Sequence, residues 1–198
     1  MLNKKIALIT GGAGFIGSHT ADLFLKNGYN VRVLDNLAGG SEDNINHNNS
    51  NSNFEFINDN INTISPSNKI FQDVSVIVHF AGIGDIVPSI ENPKKYVETN
   101  VLGTVNMLEA ARINKVNRFV YAASSSCYGI AKTPTDEEHP ISPEYPYALS
   151  KYHGELSVFH WSKVYGLSVN SIRIFNAYGT RVKTTGAYGA VFGVFFKQ

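Results

Sequence analysis

A single cysteine, Cys127, stands in the 198 residues. No intramolecular disulfide can form, and a metal site would have to draw mostly on six scattered histidines, so a reducing, cytoplasmic setting is expected. Excess charge of either sign is lacking as well. Seventeen Lys and Arg against 16 Asp and Glu leave a net charge of +1, which gives no electrostatic footprint for nucleic acid or an anionic membrane surface. Long apolar runs are also missing. Ile6–Ile9, preceded by Lys4 and Lys5, resembles the opening of a secretion signal, but glycines interrupt it within six residues. The longest candidate span, Val74–Ile83, contains Ser75 and His79 and falls short of the roughly 18 apolar residues that cross a bilayer. What remains is a globular composition, 43% hydrophobic and 17% charged, long enough for one sizeable core. A soluble, unprocessed chain forming one domain over residues 1–198 is the expectation.

Short β-branched runs alternate with longer helical patterns, the order of elements that gives a parallel sheet covered by helices on both faces. Six strands are expected, at Ile6–Thr10, Asn30–Leu34, Phe54–Asn58, Ser75–Phe80, Arg118–Ser124 and Val169–Phe175, most of them apolar nearly throughout, as strands buried on both faces must be. Helices are expected at Phe15–Lys26, stopped by Asn27-Gly28, at Pro93–Ile113 with Val97, Val101, Val105 and Leu108 at helical spacing, and at Tyr145–Tyr165. Residues Asn44–Asn53, rich in Asn and Ser, read as a surface loop without chemistry. Ala190–Phe196 forms an apolar helical pattern without a cap, which would expose Val191, Val194 and Phe195; it suggests a truncated helix.

The first strand runs into Gly11-Gly12-Ala13-Gly14-Phe15-Ile16-Gly17 and then a helix. Such a turn lets backbone N–H groups approach a pyrophosphate, whose charge the positive end of the helix dipole holds. Asp35 follows at the end of the second strand, at the offset where a carboxylate accepts hydrogen bonds from a ribose 2′-hydroxyl and repels a 2′-phosphate, so NAD is favoured over NADP. The glycine spacing, Gly11-x-x-Gly14-x-x-Gly17, is one residue wider than the usual dinucleotide fingerprint. With Thr10–His19 and Asp35-Asn36-Leu37, the chain here resembles the extended short-chain dehydrogenase/reductase family, and within it the nucleotide-sugar epimerases. That resemblance continues along nearly the whole chain. It implies a Rossmann-like, doubly wound α/β fold and cofactor contacts from Gly11, Gly14, Phe15, Ile16, Gly17, Asp35, Asn36 and Leu37.

Tyr147 and Lys151 lie four apart on an expected helix, hence on one face. A phenol is a poor base at neutral pH, but a nearby ammonium favours the phenolate and brings it toward working range. Lys151 can supply that charge while also binding the nicotinamide ribose. Ser124, Ser125 and Ser126 stand where a central strand meets its loop, at the sheet edge where ligands of open α/β folds bind. A hydroxyl there can bond the substrate oxygen and relay its proton to Tyr147. The resemblance carries the catalytic serine onto Ser124, makes Ser125 and Ser126 sugar contacts, and is closest to the word of epimerases acting on UDP-N-acetylglucosamine. Related 4,6-dehydratases carry an Asp-Glu pair where this chain has Ser125 and Ser126, and related decarboxylases place a glutamate in this loop. Epimerisation at C4 needs neither.

The resemblance further implies an adenine contact at Asp59, with Asn60 in place of the usual apolar neighbour, and cofactor contacts from Phe80-Ala81-Gly82, Asn100 and Phe175. It implies sugar or phosphate contacts from Ser89, in a loop Val87–Pro93, and from Asn176. It also implies a C-terminal lobe of roughly one hundred residues closing over the nucleotide sugar, most of it absent here, and a homodimer through the two long helices. His79 reads as a core histidine, Cys127 as a small buried apolar group and Glu137–Pro140 as a solvated loop. His153 and His160 share a helical face but lack a third ligand, so no metal is expected. The expected activity is NAD-dependent inversion at C4 of a nucleotide sugar of the UDP-glucose, UDP-N-acetylglucosamine or UDP-glucuronate type, in surface-polysaccharide or nucleotide-sugar metabolism. The rivals are a nucleotide-sugar reductase or dehydrogenase, another member of the epimerase/dehydratase family, and a binding module without turnover.

Overall fold

A computed structural model describes residues 5–182. The uncapped helical pattern at Ala190–Phe196 lies outside them. Six strands form one parallel sheet: β1 (Ile6–Thr10), β2 (Asn30–Asp35), β3 (Phe54–Asn58), β4 (Val74–His79), β5 (Arg118–Ser124) and β6 (Ser168–Ile174). Their order is β3-β2-β1-β4-β5-β6, so the chain reverses direction across the sheet between β1 and β4. That reversal opens a crevice at the carboxyl edge, where open α/β folds bind ligands. The doubly wound, Rossmann-like architecture read from the element order is the observed one.

Alternation along each strand feeds two cores. Leu8, Leu34, Ile77 and Phe119 face one layer with Met107 and Leu108, while Ile9, Val33 and Val78 face the other with Ala13 and Ala21; all are buried. The second layer is covered by α1 (Phe15–Lys26), which ends at Gly28 with φ of 81°, the left-handed stop that the sequence pattern expects. The first is covered by α4 (Gly103–Ile113) and α5 (Pro146–Tyr165).

Two segments differ from expectation. Residues expected as a loop over the sugar form α2 (Ile86–Glu91), followed by α3 (Pro93–Val97). The single helix expected over Pro93–Ile113 is interrupted by a wider π turn at Glu98–Leu102, around Asn100. The Asn100 carbonyl accepts from Thr104 Oγ1 at 2.7 Å, a local bond that competes with the regular helical ladder. The Asn-rich stretch is also not idle. Ile45 is buried in the α1-side core, and Asn44 Nδ2 and Ser41 N–H both donate to the Ala13 carbonyl, at 2.8 and 3.0 Å, bracing the turn after β1.

Close approach between β5 and α5 depends on Gly154. A Cβ there would sit 2.3 Å from Tyr121 Oη and 3.0 Å from the Asn100 carbonyl oxygen. Tyr121 Oη donates to the Lys151 carbonyl at 3.1 Å, so this contact sets where the helix bearing Lys151 lies against the sheet. Deeper in, His79 is fully buried as expected, with Nδ1 2.6 Å from Thr10 Oγ1 and Nε2 3.0 Å from Thr104 Oγ1. Burial foremost, with the Lys151 charge second, pushes its pKa down to about 3.

Gly154→Ala should destabilise the fold by about 1–3 kcal/mol through overpacking, with part of the loss recovered in Gly154→Ala/Tyr121→Phe; thermal unfolding of the three variants checks this. His79 is neutral when folded and takes a proton near 6.5 when unfolded, so stability contributed by the neutral ring is present above that pH and is lost as pH falls from 6.5 toward 3. The unfolding free energy should drop by about 1 kcal/mol per pH unit in that window from this group, and His79→Gln should flatten the slope.

Candidate active site

The turn after β1 is built for close backbone approach. Gly11 has φ of 68°, and a Cβ there would meet Ala81 N at 2.6 Å, so only glycine lets this turn lie against the end of β4. At Gly17 a Cβ would fall 2.2 Å from the Gly11 carbonyl oxygen. Gly17 therefore lets α1 pack closely onto its own turn. Gly14 caps α1 without any side-chain bond, so the first-turn N–H groups of Phe15, Ile16 and Gly17 take no side-chain cap.

Asp35 stands at the end of β2, buried beside this turn. Its Oδ2 accepts from Ala13 N at 3.0 Å and its Oδ1 from Leu37 N at 2.8 Å. The carboxylate is thus fixed by two backbone N–H groups. Leu37 has φ of 60°, and Asn36 is exposed with Oδ1 accepting from Ala38 N. Asp59 turns its Oδ1 onto Asn60 N at 2.7 Å. Phe80 and Ala81 follow β4, where Ala81 N donates to Thr10 Oγ1 at 3.3 Å.

Asn100 ties three elements together. Its Nδ2 donates to the Ile83 carbonyl (3.0 Å) and to Ser150 Oγ (2.9 Å), and its Oδ1 accepts from Ile83 N (2.8 Å). A Cβ on Gly82 would lie 2.9 Å from Asn100 Oδ1 and 3.8 Å from Lys151 Nζ, so the strand end reaches both.

Ser124, Tyr147 and Lys151 come together at the carboxyl edge of β5. Tyr147 Oη donates to Ser124 Oγ over a loose 3.4 Å. Ser124 Oγ also accepts from Ser126 N at 3.2 Å and shares a hydrogen with Ser126 Oγ at 2.6 Å, within the turn Ser125–Tyr128. Ser126 is therefore turned toward Ser124 rather than outward. Lys151 is buried, its Nζ 4.4 Å from the centroid of the Tyr121 ring, and burial lowers its pKa to about 8 against the opposing charge of Glu155. The Tyr147 phenol is raised, by burial first and then by the charge of Asp85, with the Ser124 contact opposing. The lowering expected from Lys151 does not figure among the influences on the phenol, which desolvation dominates.

Other expected contacts sit differently. Ser89 lies on α2, fully buried, with its hydroxyl donating to the Ile86 carbonyl at 2.5 Å, so it offers no surface to a sugar in this arrangement. Phe175 and Asn176, just past β6, are exposed, and Phe175 stacks on Tyr128 at 6.4 Å between centroids. The chain beyond them turns back over α1: Arg181 Nη1 lies 2.8 Å from Asp22 Oδ2, and Thr180 O lies 3.0 Å from His19 Nε2.

Sequence reading missed a brace under the site. Glu155, one turn after Lys151, is buried and accepts from Ser171 Oγ (2.7 Å) and Arg173 Nε (3.1 and 3.2 Å). Arg173 Nη1 also donates to Tyr128 Oη (2.7 Å) and to the Glu137 carbonyl (3.2 Å). The segment Glu137–Pro140, expected as a solvated loop, is thereby bolted to β6, and His139 sets its ring edge against Tyr128 at 5.7 Å. Cys127 is buried, as expected, and burial raises its thiol. The signal for the brace was a Glu four residues after Lys151, which alone is common on any helix.

Comparison with known proteins accords with this geometry. The family described as GDP-mannose 4,6 dehydratase matches residues 8–191. A Methanocaldococcus jannaschii relative, whose name places it with the UDP-glucose 4-epimerases, is 42% identical over 93% of this chain and 60% of its own length. The solved UDP-N-acetylglucosamine 4-epimerase of Methanobrevibacter ruminantium M1, in complex with UDP-N-acetylmuramic acid, is 29% identical with a TM-score of 0.93, covering 99% of this chain and 63% of that one. The Bacillus cereus UDP-glucuronic acid 4-epimerase, in complex with UDP-glucuronic acid and NAD, is 31% identical with a TM-score of 0.89 over 97% of this chain and 63% of that one. Dehydratases and decarboxylases of nucleotide sugars are also among the relatives. The chain spans about 60% of the length of the curated epimerases it matches. With the reversed sheet, the glycine turn and the Tyr147–Lys151 helix already in place, the match over residues 8–191 makes this chain a member of the extended short-chain dehydrogenase/reductase family, in its group of nucleotide-sugar epimerases and dehydratases.

Proposed function

We propose that the natural gene product binds NAD and inverts C4 of a nucleotide sugar of the UDP-glucose, UDP-N-acetylglucosamine or UDP-glucuronate type through a transient 4-keto sugar. The observation carrying this reading is the convergence of Ser124, Tyr147 and Lys151 at the sheet edge with uncharged Ser125 and Ser126 beside them. A dehydratase would need a further acid and base at that place. The uncapped start of α1 would hold the pyrophosphate and Asp35 the adenosine ribose, while Asp59 would lie toward the adenine and Phe80–Gly82 and Asn100 toward the nicotinamide half. Bound NAD would supply a reversible hydride acceptor and a positive charge.

The chain's own groups do the rest. Tyr147 takes the C4 hydroxyl proton, and Ser124 bonds the same oxygen and relays the proton. Burial favours the neutral Tyr147 phenol, so its deprotonation would call on a neighbouring positive charge, which the Lys151 ammonium can supply. Asn100, bonded to Ile83 and Ser150, fixes the wall against which Lys151 lies. Phe175 and Asn176, exposed just past β6, would meet the nicotinamide and the sugar phosphates, and a homodimer through α4 and α5 would bury their exposed Ile113, Leu156 and Phe159.

The test is to incubate the natural gene product with a panel of UDP-sugars and no added cofactor, following C4 by proton NMR. Inversion of one sugar supports the reading, whereas an unchanged panel with NAD released on denaturation favours a reductase or a binding module. Tyr147→Phe should abolish turnover with NAD still bound, and Ser124→Ala should lower kcat about 10²–10⁴-fold; retained activity in Tyr147→Phe contradicts the assignment. Because burial sets Lys151 to about 8, kcat should decline above that pH as the ammonium is lost, which a kcat–pH profile checks.

A further inference from the structure

The chain past β6 makes contacts that neither the motif reading nor the proposed mechanism uses. Ile174, the last residue of β6, is paired with Ser124, so the segment sets out beside the reacting end of the site. It finishes on α1. There a Cβ on Gly179 would lie 3.4 Å from Cε2 and Cζ of the Phe15 ring, the Thr180 carbonyl oxygen lies 3.0 Å from His19 Nε2, and Arg181 Nη1 lies 2.8 Å from Asp22 Oδ2. Phe15, His19 and Asp22 are spaced i, i+4 and i+7, a row along one face of α1 that begins directly after the glycine turn. In the sheet, β4 and β5 stand between β6 and β1. Five residues at full stretch reach about 18 Å, and three strand spacings come to about 14 Å, so the stretch from Ile174 to Gly179 has little slack for a detour. It crosses the carboxyl ends of β5 and β4, the edge at which the crevice opens.

We propose that residues 175–181 form a strap that retains the cofactor, latched to α1 by the Arg181–Asp22 ion pair. This rests on the reading that NAD takes the start of α1. A dinucleotide with its pyrophosphate there and its nicotinamide half toward Phe80–Gly82 and Lys151 occupies the edge that the strap crosses, so it leaves only when the strap lifts. Retention suits the proposed chemistry, because inversion returns the hydride to the carbon that gave it, and the cofactor need not exchange between turnovers. A part-exposed ion pair by itself holds little. This one closes on a carboxylate already fixed: Asp22 Oδ1 lies 2.8 Å from His47 Nε2 and accepts from Asn48 Nδ2 at 2.7 Å, both from the turn after β2. Arg181 Nη1 is shut off from solvent. Arg181 also holds φ of 67°, a left-handed conformation that persists in a residue of its size only where contacts fix it.

The test loads the natural gene product with NAD labelled in its nicotinamide ring and chases it with excess unlabelled NAD. Arg181→Ala and Asp22→Asn should release the label about fivefold faster than wild type, and Arg181→Lys, which keeps the charge, should release it more slowly than Arg181→Ala. Amide hydrogen exchange over residues 175–181 gives a readout independent of turnover. NAD should slow it in wild type, and Arg181→Ala should quicken it with and without NAD. Equal release from wild type and Arg181→Ala overturns the proposal, and so does faster release without faster exchange in the strap, which would place the effect elsewhere. Release from Arg181→Lys as fast as from Arg181→Ala marks a packing role and overturns the ion-pair latch. Wild type that carries no NAD and takes up none defeats the cofactor reading and the strap with it, an outcome distinct from NAD that is held but leaves wild type and variant alike.

Discussion

A buried line of hydrogen bonds pins the carboxyl edge of the sheet, and the site hangs from it. Ala81 N bonds Thr10, Thr10 bonds His79, His79 bonds Thr104, Thr104 bonds the Asn100 carbonyl, and the Asn100 side chain bonds Ile83 and Ser150. These links join β1, β4, the π turn and α5, the elements that carry the glycine turn and the Tyr147–Lys151 face. Polar groups buried in this way are costly unless every partner is present, so the line rigidifies where it is complete. It explains why a histidine with no chemical task sits in the middle of the core: its two nitrogens span two threonines that lie 94 residues apart in sequence, at positions 10 and 104. An apolar residue of similar size would leave both hydroxyls short of a partner.

Charge is arranged with equal economy. Lys151 is buried against the Tyr121 face, and Glu155 lies one turn further along α5, where its own charge is already met by Arg173. Lys151 therefore stays unspent by a direct ion pair with Glu155. The same Arg173 grips Tyr128 and the Glu137 carbonyl, so the loop that follows the serines is held by the residue that neutralises Glu155. Positioning of the serine turn and the electrostatics of Lys151 thus share one guanidinium.

The fold was legible because its signals are periodic. Strands buried on both faces read as continuous apolar runs, and all six lie within a residue of where β-branched clusters place them. The glycine turn, Asp35 and the Tyr147–Lys151 spacing were legible because each has a chemical reason independent of context. Other features had no local signal. The π turn depends on Asn100 finding Ile83 and Ser150, contacts 17 and 50 residues distant. α2 was hidden by Pro88 and by glycines just before it, which locally favour a loop. The Asn-rich stretch looked inert because polar side chains disclose nothing about which backbone carbonyl they will cap, here that of Ala13. The direction of the Tyr147 shift was misjudged since burial, which the sequence does not show, dominates the phenol.

The central claim is that one site oxidises and then reduces the same carbon, with no net redox change. The most direct measurement follows a UDP-sugar labelled with deuterium at C4 through turnover by the natural gene product. The account predicts that the inverted sugar keeps its label at C4 and that no NADH accumulates in solution. Loss of the label from C4, or stoichiometric formation of free NADH, would contradict it.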